Sequence, residues 1–321
     1  MKTMLNIKTQ LRRIYHPKTA RQVSGVLLDS GEDPWVTTYA GISYFCTVDR
    51  DKRGISVSKF EELSELPESE LKSIWPATQS ELPPYKEIWA PELQRVDDKW
   101  YVYFALNNGD PGEERMHVLE AMTDNPQGKY VYKGKIAAET DRWAIDGSVL
   151  TLPGSNEKYF VWSGWDGVMN EQQNIYIAAM ADPCTLKSDR VCISKPEHTW
   201  EKQGYPYVNE GPQPLCNDQG DTFIIYSASG SWTDDYCLGQ LRLVGDNPLD
   251  PAAWAKHSQP VFKKTDTIFG PGHCSFVKNK DGTDSIVYHT ARAKGSGWDR
   301  QIRAQAFTWN ADGSPDFGKP Q

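Results

Sequence analysis

Short apolar runs that alternate with polar positions recur along the whole chain, paired across turns rich in Asn, Asp and Gly, which is the signature of β-hairpins. The stretch Tyr207-Val-Asn-Glu-Gly-Pro-Gln-Pro-Leu shows the unit: an acidic residue opens an extended segment, a polar turn follows through Asp218 and Gly220, and Thr222-Phe-Ile-Ile-Tyr-Ser-Ala returns as a second strand. Four further stretches repeat it. Asp33-Pro-Trp-Val-Thr-Thr-Tyr precedes Ile42-Ser-Tyr-Phe-Cys-Thr-Val, and Trp89-Ala-Pro-Glu-Leu-Gln-Arg-Val precedes Trp100-Tyr-Val-Tyr-Phe-Ala. Ile145-Asp-Gly-Ser-Val-Leu-Thr-Leu precedes Lys158-Tyr-Phe-Val-Trp-Ser, and Gly270-Pro-Gly-His-Cys-Ser-Phe-Val precedes Ser285-Ile-Val-Tyr-His.

The leading polar residues Asp33, Glu92, Asp146, Glu210 and His273 therefore follow one another at intervals of roughly sixty residues, a period suited to the blades of a propeller. The pattern predicts an all-β chain folded as a single five-bladed β-propeller over residues 29–321. Residues 1–28 are polar and irregular, and are expected to lie against the propeller or to close its ring. Phe60 to Trp75, rich in Glu, is expected to form a solvated outer strand and loop. Because the innermost strands of a propeller all begin at one face of the ring, the residues that open them should converge on its central channel.

Composition narrows the partners. A net charge of −8 and a pI near 5.4 argue against a nucleic-acid backbone as ligand. No apolar run approaches a membrane span, and the first thirty residues hold no apolar core of a signal peptide. A cytoplasmic location is expected if that N-terminus is native, and a secreted one if a leader has been removed. A monomer is expected. Twelve Trp and fifteen Tyr suit sheet packing, and also clefts in which aromatic faces stack on sugar rings. Trp35, Trp89, Trp143 and Trp165 are the candidates for such contacts, with packing as the competing role. Six cysteines are too few for a disulfide framework; only Cys184 and Cys192 are candidates for a pair.

Three carboxylates at equivalent blade ends have a chemical use. Cleaving a glycosidic bond needs one carboxylic acid to protonate the leaving oxygen and one carboxylate to activate water or attack, and a third nearby can raise the pKa of the acid. Glu92 is a further site candidate, with an inner-rim hydrogen-bonding role as its alternative.

Asp33-Pro34-Trp35, Trp89-Ala-Pro-Glu92, Ala144-Ile-Asp146-Gly147, Asn209-Glu210-Gly-Pro212 and Gly270-Pro-Gly-His273, in this order, resemble glycoside hydrolase family 43. Tyr226-Ser-Ala-Ser-Gly, Asp235-Tyr-Cys-Leu-Gly and the segment from Arg300 to Trp309 look like its branch of exo-acting 1,5-α-L-arabinofuranosidases. The resemblance implies a five-bladed propeller that releases terminal arabinofuranosyl units from arabinan or arabino-oligosaccharides with inversion. It implies Asp33 as general base, Glu210 as general acid and Asp146 as the residue that tunes and orients that acid. Arg300, or else Arg303, would reach the substrate. His273 would stand near a metal ion, usually calcium, held in the channel largely through water; no organic cofactor is implied. A β-xylosidase with the same acids and a noncatalytic glycan-binding propeller are the alternatives.

Overall fold

The computed structural model describes residues 24–78, 81–110 and 112–321. Most of the expected N-terminal extension, residues 1–23, lies outside the described residues.

Five antiparallel sheets surround a central axis. Blade 1 runs outward through Trp35–Tyr39, Ile42–Val48, Ile55–Phe60 and Lys72–Trp75. Blade 2 comprises Glu87–Val96, Lys99–Asn107, Arg115–Ala121 and Tyr130–Lys135, and blade 3 comprises Ala144–Thr151, Lys158–Trp165 and Gln173–Asp182, edged by Thr185–Leu186 and Val191–Ser194. Blade 4 is Asn209–Cys216, Thr222–Ala228, Cys237–Leu243 and Trp254–Lys256. In blade 5 the strands Phe269–Lys278, Asp284–Ala291 and Arg300–Trp309 come from the C-terminal end of the chain, and the outermost strand, Gly25–Leu28, comes from its start. That pairing ties the two ends of the described chain into one sheet, so the last blade cannot peel away from the first without breaking a hydrogen-bonded ladder.

The innermost strands touch one another in the cyclic order of blades 1 to 5 and back to 1. Apolar clusters fill the wedges between neighbouring sheets. Strands buried on both faces explain why the second strand of each hairpin reads as a nearly continuous apolar run, as in Trp100-Tyr-Val-Tyr-Phe-Ala. Gly147 illustrates the density: a Cβ there would lie 2.2 Å from the Phe160 ring, so the small residue lets a neighbouring strand's aromatic ring cross the backbone.

The stretch from Phe60 to Trp75 departs from its expected solvated state. Leu63 and Leu66 are buried on a short 3-10 turn, and Trp75 is buried between blades 1 and 2. The charged residues around them concealed an apolar spacing too sparse to stand out. All six cysteines are free thiols, so the candidate pair of Cys184 and Cys192 is not formed; both pack against the core between blades 2 and 3.

Candidate active site

Each inner strand enters the channel through a backbone irregularity, and this aims the site residues. Asp33, Ala90, Asp146 and His273 hold left-handed backbones with φ of 47°, 42°, 55° and 44°, and Gly211 and Gly270 do so at 55° and 57°. Blades 2, 3, 4 and 5 each shift register at this point, between Trp89 and Glu92, Ile145 and Ser148, Glu210 and Gln213, and Phe269 and Gly272. A left-handed non-glycine residue costs on the order of 1–3 kcal/mol, and such outliers cluster where a side chain is redirected for function.

The result is a cavity of about 440 Å³ at one mouth of the channel, lined by Asp33, Asp146 and Glu210 together with Trp89, Trp143, Trp165, His273 and Arg300. Asp33 is gripped at several points. Its backbone N–H donates to His289 Nδ1 at 3.1 Å, and its Oδ1 lies 3.1 Å from His273 Nδ1 and 3.6 Å from an Arg300 guanidinium nitrogen. Burial alone would raise this carboxyl, but His273, His289 and Arg300 outweigh it and hold it well below the usual carboxylate range. It is ionised at any working pH.

Glu210 is in the opposite condition. Burial, augmented by the charge of Asp33, pushes it up to about 7 against the hydrogen bond from Tyr236 and the charge of Arg300. The Tyr236 hydroxyl donates to its Oε1 at 2.8 Å. Asp146, whose Oδ2 accepts the Gly211 N–H at 3.0 Å, is also raised, first by burial and then by Glu210 and Asp33. A proton is thus retained on the Asp146–Glu210 side of the cavity at neutral pH while Asp33 stays charged. Opposed protonation of two carboxyl groups in one pocket is what acid–base cleavage of an acetal requires.

The remaining expectations divide. Trp143 and Trp165 stack face to face, 4.9 Å between centroids and 9° between planes, as one wall of the cavity. Trp89 lines it as well and donates its indole N–H to Glu87 at 2.8 Å. Arg300 rather than Arg303 reaches the cavity; Arg303 is turned to Thr290 and to the carbonyl of Gln321. Trp35 is not in the lining. Its indole N–H donates to the Leu93 carbonyl at 2.6 Å and its ring packs on the core between blades 1 and 2. Glu92 also misses the lining: the register shift turns it into the channel interior, where Gln213 and Gln94 donate to it at 2.6 and 2.7 Å. Burial raises its carboxyl to about 8 against those bonds.

His273 faces Asp33. Among the described residues no three His, Cys, Asp or Glu side chains gather as a metal site, and a calcium ion takes six to eight oxygen ligands. A directly held ion does not fit, and no step below depends on one.

Several lining residues were not legible in the sequence. Glu32 bridges Lys52 at 2.6 Å and Arg300 at 3.7 Å, so Arg300 is shared between it and Asp33. Trp232 and Trp298 meet edge to face at 6.2 Å on the blade 4 and 5 side of the cavity, with Trp298 64% exposed. His289 and Tyr236 lie outside the lining but touch Asp33 and Glu210. Their only signal was position, since Tyr288-His289 stands in the second strand of its hairpin and Tyr236 just precedes a third strand.

A five-bladed propeller that presents differently protonated carboxyl groups and a tryptophan wall in one axial cavity defines the class of propeller glycosidases. The sequence profile of the glycosyl hydrolases family 43 matches residues 24–315, and the chain belongs to that family. It is 39% identical over 246 residues to an extracellular exo-α-(1→5)-L-arabinofuranosidase of Streptomyces avermitilis, covering 73% of this chain and 50% of that protein. It is 36% identical, with the same coverage, to α-L-arabinofuranosidase 43 of Humicola insolens. The chain thus spans about half the length of these relatives. The crystal structure of an α-L-arabinofuranosidase from Lactobacillus brevis superposes with a TM-score of 0.81 at 33% identity, covering 92% of this chain and 95% of that one. Among the described residues no helix is long and apolar enough to cross a membrane.

Proposed function

We propose that the protein is an inverting α-L-arabinofuranosidase that removes terminal arabinofuranosyl units from arabinan or arabino-oligosaccharides. The observation that carries this reading is the convergence of Asp33, Asp146 and Glu210 on one cavity, with Asp33 against His273 and Arg300 and Glu210 under the Tyr236 hydroxyl. The relatives' activities support arabinose as the sugar. Asp33 takes a proton from a water molecule as its oxygen bonds to the anomeric carbon. Glu210 gives its proton to the departing oxygen as the glycosidic bond breaks. The sugar leaves with its anomeric centre inverted, Asp33 neutral and Glu210 charged, and one proton returns through solvent to restore the starting state.

Each carboxyl group contributes by a means its surroundings supply. A water bonding to an oxocarbenium-like carbon becomes acidic late, so a weakly basic but permanently ionised Asp33 suffices and also stabilises developing positive charge. Asp146 holds the Gly211 N–H next to the acid, and its own carboxyl is raised by burial and then by Glu210 and Asp33. Arg300 and the Trp143–Trp165 wall line the cavity, and in this reading they hold the sugar's hydroxyls and ring.

The test is hydrolysis of 4-nitrophenyl α-L-arabinofuranoside and β-D-xyloside side by side, with NMR of the first-formed anomer. Release of arabinose in inverted form is expected; Asp33→Ala should lower turnover of the aryl glycoside, and Glu210→Ala that of 1,5-α-L-arabinobiose, by a factor of at least about 100. Preference for the xyloside would transfer the reading to a β-xylosidase. Release from neither would leave a glycan-binding propeller.

A further inference from the structure

The stacked rings of Tyr236 and His289 connect the two groups that carry the proposed chemistry. Their centroids are 5.5 Å apart and their planes 13° from parallel, and both side chains are buried. The outer edge of the Tyr236 ring donates its hydroxyl to Glu210 Oε1 at 2.8 Å. The edge of the His289 ring accepts the Asp33 N–H at 3.1 Å. An acid on blade 4 and a base ahead of blade 1 are therefore spaced through one pair of rings, one from blade 4 and one from blade 5.

The surroundings fit such a spacer. A Cβ on Gly272, which pairs with His289 across the ladder, would come within 2.2 Å of the Tyr236 ring, so the second glycine of Gly270-Pro-Gly-His273 leaves the room the ring occupies. His273, whose ring lies 5.9 Å from that of His289, closes the other side and directs its Nδ1 to the Asp33 carboxylate. His289 Nδ1 lies 3.1 Å from the Asp33 backbone nitrogen and 3.5 Å from its Oδ1, and Nε2 is buried with no partner among the described residues. A buried ring nitrogen left unpaired is costly. The fold tolerates it at the residue that fixes the left-handed backbone of the base.

Resting on the arabinofuranosidase reading, we propose that Tyr236 and His289 are a positioning pair: His289 fixes the backbone of the base, Tyr236 fixes Oε1 of the acid, and their stack sets the distance between the two. The Tyr236 bond occupies Oε1 as an acceptor, which assigns the transferable proton of Glu210 to Oε2. Neither residue touches substrate.

The experiment compares kcat and KM for two substrates: 1,5-α-L-arabinobiose, whose alkoxide leaving group needs the acid, and 4-nitrophenyl α-L-arabinofuranoside, whose phenolate needs it little. Tyr236→Phe keeps the stack and removes the hydroxyl; it should lower kcat about tenfold on the disaccharide and less than about threefold on the aryl glycoside. His289→Phe keeps a ring and removes the acceptor; it should lower kcat about tenfold to a hundredfold on both substrates alike, with KM within about threefold. His289→Asn, which returns an acceptor near the place of Nδ1, should recover part of that loss. The double variant Tyr236→Phe/His289→Phe should lose less than the product of the single losses, as residues acting as a unit do.

Thermal midpoints and near-ultraviolet circular dichroism establish that each variant is folded, and if His289→Phe does not fold, the substrate dependence of Tyr236→Phe decides. Equal losses on both substrates for Tyr236→Phe, or wild-type kcat in both single variants, would overturn the proposal while leaving an active arabinofuranosidase. A wild-type protein that hydrolyses neither substrate would instead overturn the activity itself, and the pair with it.

Discussion

The alkaline limb of the activity profile tests the electrostatics most directly. Glu210 rises from an ordinary 4.5 to about 7, which corresponds to about 3 kcal/mol in favour of its neutral form. The sign is that of a group stabilised with its proton on: the competent acid is present below about pH 7 and is lost above it, so kcat/KM for arabinobiose should fall about tenfold per pH unit beyond that point. Asp33, held far below the usual range, should place no limb between pH 4 and 9. Burial is the largest cause for Glu210 and for Asp146 alike. Asp146→Asn, which removes the neighbouring carboxyl but keeps an acceptor for the Gly211 N–H, should therefore leave the limb within about one unit of wild type. The assay is initial-rate kinetics from pH 4 to 9 at constant ionic strength, with product measured by chromatography. A wild-type limb at pH 4 to 5 would refute the burial argument, and a limb that drops to that range only in Asp146→Asn would show that the charge of Asp146, not burial, raises the acid.

Three further outcomes are expected. Trp35→Phe keeps the core ring but loses the bond to the Leu93 carbonyl, so denaturant titration should show about 1 kcal/mol lower stability with kcat unchanged; a KM raised severalfold would return Trp35 to the substrate. Glu201 is buried against Lys256 at 2.8 Å, accepts from Asn209, Tyr226 and two backbone N–H groups, and is held below its ordinary value because these partners outweigh burial. Its contribution is present above about pH 4.5 and fades as pH falls through the depressed value. Glu201→Ala should cost about 3–5 kcal/mol at pH 7 and less in acid, and an equal loss at both pH values would contradict the ionised assignment. Trp298→Ala should raise KM for arabinan severalfold while leaving the thermal midpoint and the kinetics on the aryl glycoside near wild type, because this indole is exposed at the cavity rim; identical kinetics on arabinan would remove it from the binding surface.

What could be read from the chain was whatever repeats. Apolar alternation, turn residues and the interval between Asp33, Glu92, Asp146, Glu210 and His273 were enough to give five blades, because each blade must bury the same two faces against its neighbours. The same repeat implied that the residues opening the inner strands face a common axis, and Asp33, Asp146, Glu210 and His273 do line one cavity. Glu92 opens its strand in the same way, yet a register shift sends it into the channel interior. A periodic pattern carries no information about where a strand gains or loses a residue against its partner. Trp35 misses the cavity for a related reason, since its two faces are equally plausible until the neighbouring blade is in place.

Strand periodicity and the order of the acids were determined locally, by side-chain type and spacing, and so belonged to the sequence. Everything that makes the carboxyl groups differ came from contacts between distant segments: His289, 256 positions from Asp33, takes its N–H, and Tyr236, just ahead of the third strand of the same blade, holds Glu210. Protonation depends on burial and on charges a few ångströms away, quantities that exist only once the ring has closed.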